Sequence, residues 1–229
     1  MAKYLIEHGA NDIDGALRLA LKKEDWELIK YLIENGADVN YKYNRKTALI
    51  IALEKENWEM AKYLIEHGAN DIDDALRVAL YKGNLEIFKY LVEKGANNIN
   101  GALRVASEEE NWEIVKYLVE KGASNINDAL NVALKKGNWE MVKYLAEKGA
   151  SNINDALRVA LQKENLEIIK YLIEHGADVN YKYEYDYNKV KTALSIALEK
   201  EDLELIKYLI KHGANVSYKN NYYRTYLNI

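Results

Sequence analysis

An all-α domain of stacked helix–turn–helix units is the fold class that this sequence predicts, and three observations predict it. The string Lys-Tyr-Leu recurs at residues 3, 30, 62, 89, 116, 143, 170 and 207, mostly at intervals of 27. Every copy runs on into Gly-Ala, as in KYLIEHGA and KYLVEKGA. Each interval also holds two short apolar stretches with helical spacing. A repeat of this length indicates units that bury their apolar faces against their neighbours.

The unit at 125–150 shows how each element follows from its residues. Its first apolar face is Ala129, Leu130, Ala133 and Leu134, spaced as on one side of a helix. Gly137-Asn138 ends that helix, and Asn138 caps the next one by accepting a backbone N–H. The second apolar face is Met141, Val142, Leu145 and Ala146. Gly149 then supplies the left-handed residue that ends a helix.

Applied to the whole chain, this pattern predicts seven helix pairs. The first helices are expected near 14–23, 47–55, 73–82, 100–109, 127–136, 154–163 and 191–200. The second helices are expected near 26–35, 58–67, 85–94, 112–121, 139–148, 166–175 and 203–212. A half repeat at 1–10 precedes the pairs, which occupy 11–214, and a truncated repeat at 215–229 follows, all in one domain.

The unit resembles the ankyrin repeat over nearly the whole chain. The resemblance rests on Thr47-Ala48-Leu49 with Ala52, apolar pairs such as Ile114-Val115, the KYLIEHGA stretch, and Ala37-Asp38-Val39-Asn40. Two features depart from the family. Proline is absent, and the histidine of the family's Thr-Pro-Leu-His signature is replaced by Arg18, Ile50, Arg77, Arg104, Asn131, Arg158 and Ser195. The usual interval is 27 residues, whereas ankyrin repeats have about 33.

The resemblance implies β-hairpin fingers between repeats, and the short interval implies that most have been lost. Long junctions remain at 38–49 and 178–194, whereas the short ones read only SNINDAL or NDIDDAL. We therefore expect three fingers, at about 38–46, 178–190 and 215–224, and no strand inside 97–100 or 124–127. This finger-poor variant is similar to ankyrin arrays encoded by large DNA viruses or AT-rich intracellular bacteria.

Composition excludes several function classes. The chain has no cysteine, which rules out disulfides, zinc fingers and thiol catalysis. No apolar run approaches the roughly 20 residues of a membrane span, and the charged N-terminus is not a secretory signal. No catalytic set, phosphate loop or metal spacing is present. We therefore predict a non-enzyme without cofactor or metal, located in the cytoplasm (the host-cell cytoplasm if viral).

Three recurrent side chains are interpreted as structural. The histidines all precede the glycine that ends a second helix, where other repeats carry Asn or Lys, so they are read as cations at helix C-termini: His8, His67, His175 and His212. Tryptophans open four second helices and are read as packing residues: Trp26, Trp58, Trp112 and Trp139. The tyrosines of the Lys-Tyr-Leu strings are likewise expected to be structural.

Other tyrosines cluster in the expected fingers and are candidate partner-binding residues. They are Tyr41, Tyr43, Tyr181, Tyr183, Tyr185, Tyr187, Tyr222 and Tyr223. Tyrosines alternate with charged residues over 181–187, which places their rings on one face of an extended segment. Tyr supplies rigid contact area with a polar tip, as in binding loops. Alternatively, the rings stack only to hold the hairpins together.

A charged row on the first helices is the second candidate surface, which the resemblance places on the concave side. Its members are Arg18, Lys22, Arg77, Tyr81, Arg104, Glu108, Lys135, Arg158 and Gln162. The residues at the histidine position of each first helix, and those four and five residues later, carry a net charge of +8. Four Arg and eight Lys (Lys22, Lys23, Lys55, Lys82, Lys135, Lys136, Lys163 and Lys200) stand against four Glu (Glu54, Glu108, Glu109 and Glu199). This basic ridge favours an acidic partner surface. The alternative is that each Arg bonds the loop of the neighbouring repeat.

The resemblance predicts a protein-interaction scaffold whose partner contacts the concave side and the fingers. A nucleic-acid or phospho-ligand binder that uses the Arg/Lys ridge is a second hypothesis, which the net charge of −4 disfavours. A third is a structural part of a longer array. Leu5, Ile6, Leu227 and Ile229 are expected near exposed apolar surface at the ends, which predicts weak end-to-end self-association.

Overall fold

A computed structural model describes residues 13–185 and 189–217, and the chain divides into two compact units, 1–106 and 107–229. Over the described residues, fourteen helices alternate as first and second members of seven pairs. The first helices are α1 (Ile13–Lys23), α3 (Ala48–Glu54), α5 (Ile72–Tyr81), α7 (Ile99–Glu108), α9 (Ile126–Lys136), α11 (Ile153–Gln162) and α13 (Ala193–Glu199). The second helices are α2 (Trp26–Glu34), α4 (Trp58–Glu66), α6 (Leu85–Glu93), α8 (Trp112–Glu120), α10 (Trp139–Glu147), α12 (Leu166–Glu174) and α14 (Leu203–Lys211). The predicted pairs are confirmed, and every bound agrees to within two residues.

The second helices begin and end where their capping residues require. The Asn138 side chain accepts the backbone N–H of Met141 at 3.0 Å, which satisfies one of the free donors of the first turn. At the C-terminal end of α2, Gly36 adopts a φ of 97°, a conformation that is unfavourable for residues with a Cβ. The Gly36 N–H then bonds the carbonyl of Ile33 at 3.0 Å, and the next N–H bonds that of Leu32 at 2.9 Å. These two bonds form a Schellman motif.

The core consists of the Ala and Leu positions of the first helices and the central apolar residues of the second helices. Leu49, Leu130 and Phe88 have no exposed surface. Six first helices pack against the second helix of their own pair, namely α1, α3, α5, α9, α11 and α13. In the pairs α3–α5, α9–α11 and α11–α13, a first helix also packs against the next first helix. This arrangement buries apolar area that one pair alone leaves exposed, so stability depends on contacts between neighbours.

In the short junctions, a side chain of the first helix replaces the bonds that a finger could supply. The Asp73 carboxylate accepts the backbone N–H groups of Asn97 and Asn98 at 2.8 and 3.0 Å. Asn127 accepts the N–H of Ser151 at 2.7 Å in the same way. These side chains satisfy backbone donors of the following loop and fix the register between two repeats.

In the two long junctions, the asparagine of the Asp-Val-Asn string makes the hydrogen bonds to the loop of the next repeat. Asn40 donates its side-chain N–H to the carbonyl of Gly68 at 3.2 Å and accepts the N–H of Asn70 at 3.0 Å. Asn180 bonds Gly213 and Asn215 identically, at 2.9 and 2.7 Å. Both functional groups of one amide therefore connect consecutive repeats.

Two of the predicted fingers lie in the described residues. β1 (Tyr183–Tyr185) pairs antiparallel with β2 (Lys189–Lys191), and an isolated bridge joins Tyr43 to Lys46. Residues 97–100 and 124–127 contain no strand, as predicted. The third predicted finger lies outside the described residues beyond 217. The half repeat at 1–10 and the four end residues Leu5, Ile6, Leu227 and Ile229 also lie outside them.

Candidate partner-binding surface

Each finger is fastened to the first helix that follows it. The Lys46 ammonium lies 2.7 Å from the Glu54 carboxylate, and Lys191 lies 2.5 Å from Glu199. In both cases the lysine directly precedes the threonine that caps the helix, and the glutamate lies eight residues further on. The glutamates of the long repeats therefore serve the fingers and reduce the negative charge available to a partner.

The finger tyrosines occupy different environments. Tyr181 is 40% exposed, whereas Tyr183 is only 2% exposed, and their ring centroids lie 5.3 Å apart. Tyr41 and Tyr43 are half-buried. The predicted contact of Tyr183 with a partner conflicts with this burial, because its ring belongs to the core; we therefore remove Tyr183 from the candidate surface. The backbone of Tyr185 lies in β1, while Tyr187, Tyr222 and Tyr223 lie outside the described residues.

The predicted row on the first helices is exposed. Its exposed members are Arg18, Lys22, Arg77, Tyr81, Arg104, Glu108, Lys135 and Gln162, while Arg158 is half-buried. Tyr81 is the most exposed large hydrophobic side chain among the described residues of unit 1, at 65%. None of these exposed side chains takes part in the apolar core.

Two of the arginines, Arg77 and Arg158, pair within their own helices and not with the loop of the neighbouring repeat. Arg77 pairs with Asp74 of its own helix at 3.0 Å, and Arg158 lies 3.8 Å from Asp155 of its own helix. The bond to a neighbouring loop occurs instead at Asn131, whose oxygen accepts the side-chain N–H of Asn152 at 2.7 Å. The reason is the carboxylate three residues earlier, which is close enough to hold the guanidinium along the helix.

Much of the predicted basic ridge is neutralised by the preceding repeat. The ion pairs join Lys55 to Glu24 at 2.6 Å, Lys82 to Glu56 at 3.0 Å, Lys136 to Glu110 at 2.6 Å, and Lys200 to Glu164. Each of these glutamates has a positive φ of 56–58° in the turn after its first helix. The equivalent positions in two other repeats are Gly83 and Gly137. The sequence analysis did not predict these ion pairs. The exchange of Glu with Gly at one position was a usable signal, because it marks a left-handed turn residue whose carboxylate is present in some repeats only.

The three histidines of the described residues, His67, His175 and His212, cap helix C-termini by hydrogen bonding. Nδ1 of His175 lies 2.8 Å from the carbonyl of Tyr171, and the two rings stack with centroids 3.9 Å apart. Because the carbonyl only accepts, Nδ1 carries the proton. Lys148, at the same position, instead lies 5.5 Å from the ring centroid of Tyr144. These contacts explain why His and Lys exchange at this position.

The Lys-Tyr-Leu strings connect successive second helices. Lys143 lies 5.3 Å from the ring centroid of Tyr171 and 2.5 Å from Glu167, both of the next repeat. The Tyr171 hydroxyl donates back to Glu147 at 2.6 Å. The structural role predicted for the Lys-Tyr-Leu tyrosines is confirmed for Tyr171, while Tyr4 lies outside the described residues. The tryptophans predicted to pack are half-buried at the start of their helices.

The contacts between successive Lys-Tyr-Leu strings shift the pKa values of several of their side chains and of the glutamates that they bind. Burial, together with the Glu174 carboxylate that accepts its hydrogen bond, raises the pKa of Tyr208 to about 12. The same causes, with Glu147 as acceptor, raise the pKa of Tyr171. Hydrogen bonds from Lys62 and Lys143 lower the pKa of the Glu86 and Glu167 carboxyls. The shifted groups all belong to packing between repeats, and none of them lies in the row on the first helices.

The described residues form neither a metal site nor a membrane span. In 13–185 and 189–217, no three His, Cys, Asp or Glu side chains converge as metal ligands would. The helices of the same residues are all too short or too polar to traverse a bilayer. The exposed positions of the first helices and fingers remain the candidate surface.

Paired helices repeated along the chain and joined by side-chain hydrogen bonds at the junctions define a helical repeat protein. The family model for ankyrin repeats (three copies) matches residues 1–74, 17–101, 70–128 and 103–183, and the single ankyrin repeat matches 191–221. The chain therefore belongs to the ankyrin-repeat family. Ankyrin repeats are generally protein–protein interaction modules.

Comparison with one solved structure agrees on the fold. The human ASB11 ankyrin repeat domain is 24% identical, with a TM-score of 0.51 over 87% of this chain and 98% of that one. An ankyrin repeat domain from Acinetobacter baumannii AYE is also 24% identical, with the same coverage and a TM-score of 0.46. No curated protein matches the sequence significantly. The similarity to viral or AT-rich bacterial arrays stays a prediction.

Proposed function

We propose that this protein is a non-catalytic scaffold that binds a partner protein through exposed side chains of its first helices and fingers. One observation carries the proposal. The first-helix row exposes large side chains that the packing of the repeats does not use, with Tyr81 at 65% exposure as the clearest example. Large exposed aromatic and arginine side chains are enriched among residues that dominate binding energy.

The charges of the described residues favour a protein partner over a nucleic acid. Four lysines of the ridge already pair with glutamates across repeats, and Arg77 and Arg158 pair within their helices. A protein that binds phosphates needs several uncompensated cations along one path. The remaining mixture of tyrosine, arginine, glutamine and glutamate is more typical of a protein interface.

Site-specific photo-crosslinking tests the proposal. A photoreactive phenylalanine analogue replaces Tyr81, and a matched variant carries it at Glu86, whose side chain is 80% exposed on a second helix. Both proteins are expressed in the organism of origin and irradiated, and the adducts are identified by mass spectrometry. We expect position 81 to give one protein adduct, and we expect position 86 not to give that adduct. Equal labelling at both positions would place the interface elsewhere, and nucleic-acid adducts would favour the second hypothesis.

A further inference from the structure

We propose that the partner presents an acidic segment with an aliphatic side chain to the C-terminal half of α1; this inference rests on the proposed function and names the chemistry of its ligand. The basic patch consists of Arg18, Leu19, Lys22 and Lys23. The three cations are exposed, and Leu19 is 53% exposed. At about 100° per residue, the four side chains span an arc of about 140° on one side of the helix.

The patch keeps its charge because its local partners are missing. Arg77 and Arg158 are each paired with an aspartate three residues earlier, but the residue three before Arg18 is Gly15. Asp14, one residue further back, is engaged, because its carboxylate accepts the backbone N–H of Asp38 at 3.2 Å. In the described part of the chain, Arg18, Lys22 and Lys23 therefore have no ion-pair partner.

The arrangement of cations is also unfavourable for the isolated helix. Arg18 and Lys22 are four residues apart, so their like charges lie one above the other on the helix surface and repel each other. In the other arginine-bearing repeats, the second of these positions is occupied by Tyr81, Glu108 or Gln162, none of which is a cation. A bound carboxylate would relieve this repulsion, and no group in the described residues does so.

The ordinary structural role of helix-terminal cations does not account for the patch. Lys22 and Lys23 lie in the last turn of α1, where they complement the helix dipole. Arg18 lies a full turn earlier, beyond the reach of that effect. Leu19 has no part in it either, and the equivalent residues Val78 and Val132 are half-buried in their repeats. An exposed leucine between three cations fits a ligand that offers carboxylates around an apolar side chain.

Leu19 also favours a protein segment over a nucleic acid. A phosphate backbone would use the cations and leave the leucine in contact with polar groups, whereas an acidic peptide places a Leu or Ile side chain against it. The patch lies on a chain with a net charge of −4, so it is a local exception that steers an acidic ligand to one place.

Titration of the ¹⁵N-labelled full chain tests this inference. The probe is a synthetic helical peptide of Glu and Asp with one Leu, its control is the same peptide with Gln in place of the acids, and oligothymidylate is the nucleic-acid arm. We expect the acidic peptide to shift amides of residues 18–23. Arg18→Gln with Lys22→Gln should weaken its binding about tenfold, and Leu19→Gln about fivefold. The matched variant is Lys207→Gln with Lys211→Gln, which removes two exposed lysines four residues apart on α14 that also have no ion-pair partner among the described residues; its affinity should stay within twofold.

The outcomes separate this inference from the proposed function. Equal weakening by both double variants would mean non-specific attraction and would overturn the inference, as would stronger binding of oligothymidylate than of the peptide. If position 81 crosslinks a protein and Arg18→Gln with Lys22→Gln leaves that adduct unchanged, the inference is wrong while the scaffold function stands. If no protein crosslinks at position 81 and the peptide still binds residues 18–23, the scaffold proposal fails and the acidic-ligand patch stands. Unchanged circular dichroism and melting temperature verify that each variant folds.

Discussion

Glu110 holds a left-handed backbone conformation with a φ of 58°, and its carboxylate lies 2.6 Å from the ammonium of Lys136 in the next repeat. The conformation is unfavourable for a residue with a Cβ, while the ion pair links two repeats. Both effects are small, since the two side chains are 39% and 49% exposed and water screens their attraction. The backbone strain destabilises the turn and the ion pair stabilises it, so substitutions at Glu110 test which of the two effects is larger.

Replacing Glu110 by Gly should increase the free energy of unfolding by about 0.5 kcal/mol. Removing the left-handed strain gains about 1 kcal/mol, and losing the exposed ion pair costs about 0.5 kcal/mol. Urea denaturation of Glu110→Gly, Lys136→Met and the double variant measures the coupling between them. A coupling above about 2 kcal/mol would show that the ion pair, and not the backbone, governs this turn.

The sequence was sufficient for the helices because their signals are local. Asn138 and Gly149 mark the ends of a helix within a few residues of the groups that they cap, so the bounds followed directly. The contacts between repeats were not predicted, because Asp73 and Asn97 lie 24 residues apart and meet only after two helices have packed. The burial of Tyr183 was missed for the same reason: alternation identifies a shared face but does not say whether that face is covered.

Asn180 provides the next prediction, because one side chain makes two bonds across a repeat junction. Asn180→Ala should lower the free energy of unfolding by about 2 kcal/mol, since the carbonyl of Gly213 and the N–H of Asn215 both lose their partner. Asn154→Ala, which removes a single bond to the N–H of Asp178, should cost about half as much. Chemical denaturation compares the two. Equal losses would indicate that water replaces one of the Asn180 bonds.

The raised tyrosine pKa values predict alkaline unfolding. The unfolded-state pKa of tyrosine is about 10, and the folded pKa of Tyr208 is about 12. The folded state therefore holds its proton more tightly, so this stabilisation is complete below pH 10 and is lost as the pH rises from 10 to about 12. Tyr208→Phe should make unfolding less dependent on pH in that window. Denaturation at pH 9 and pH 11 measures the difference, and an unchanged dependence in the variant would contradict the assignment.

His175 tests the interpretation of the helix-terminal position. His175→Lys should change the free energy of unfolding by less than about 0.5 kcal/mol, because lysines such as Lys148 interact with the tyrosine ring at this position. His175→Asp should cost about 1 kcal/mol, because a carboxylate cannot donate to the carbonyl of Tyr171 and opposes the helix dipole. Thermal melts at pH 7 rank the variants. A variant with Asp as stable as the one with Lys would exclude a capping role.

Tyr183 and Tyr181 form a matched pair for separating the hairpin's stability from its binding surface. Tyr183→Ser should lower the free energy of unfolding by about 3 kcal/mol, because the ring is 2% exposed and its removal leaves a cavity. Tyr181→Ser should cost at most about 1 kcal/mol, the scale of its contact with the Tyr183 ring, because its own ring is 40% exposed. Urea denaturation measures both, and crosslinking from position 81 reports partner binding in parallel. If Tyr181→Ser weakens the adduct without loss of stability, the finger belongs to the interface; if both substitutions act only through stability, the hairpin tyrosines serve the fold alone.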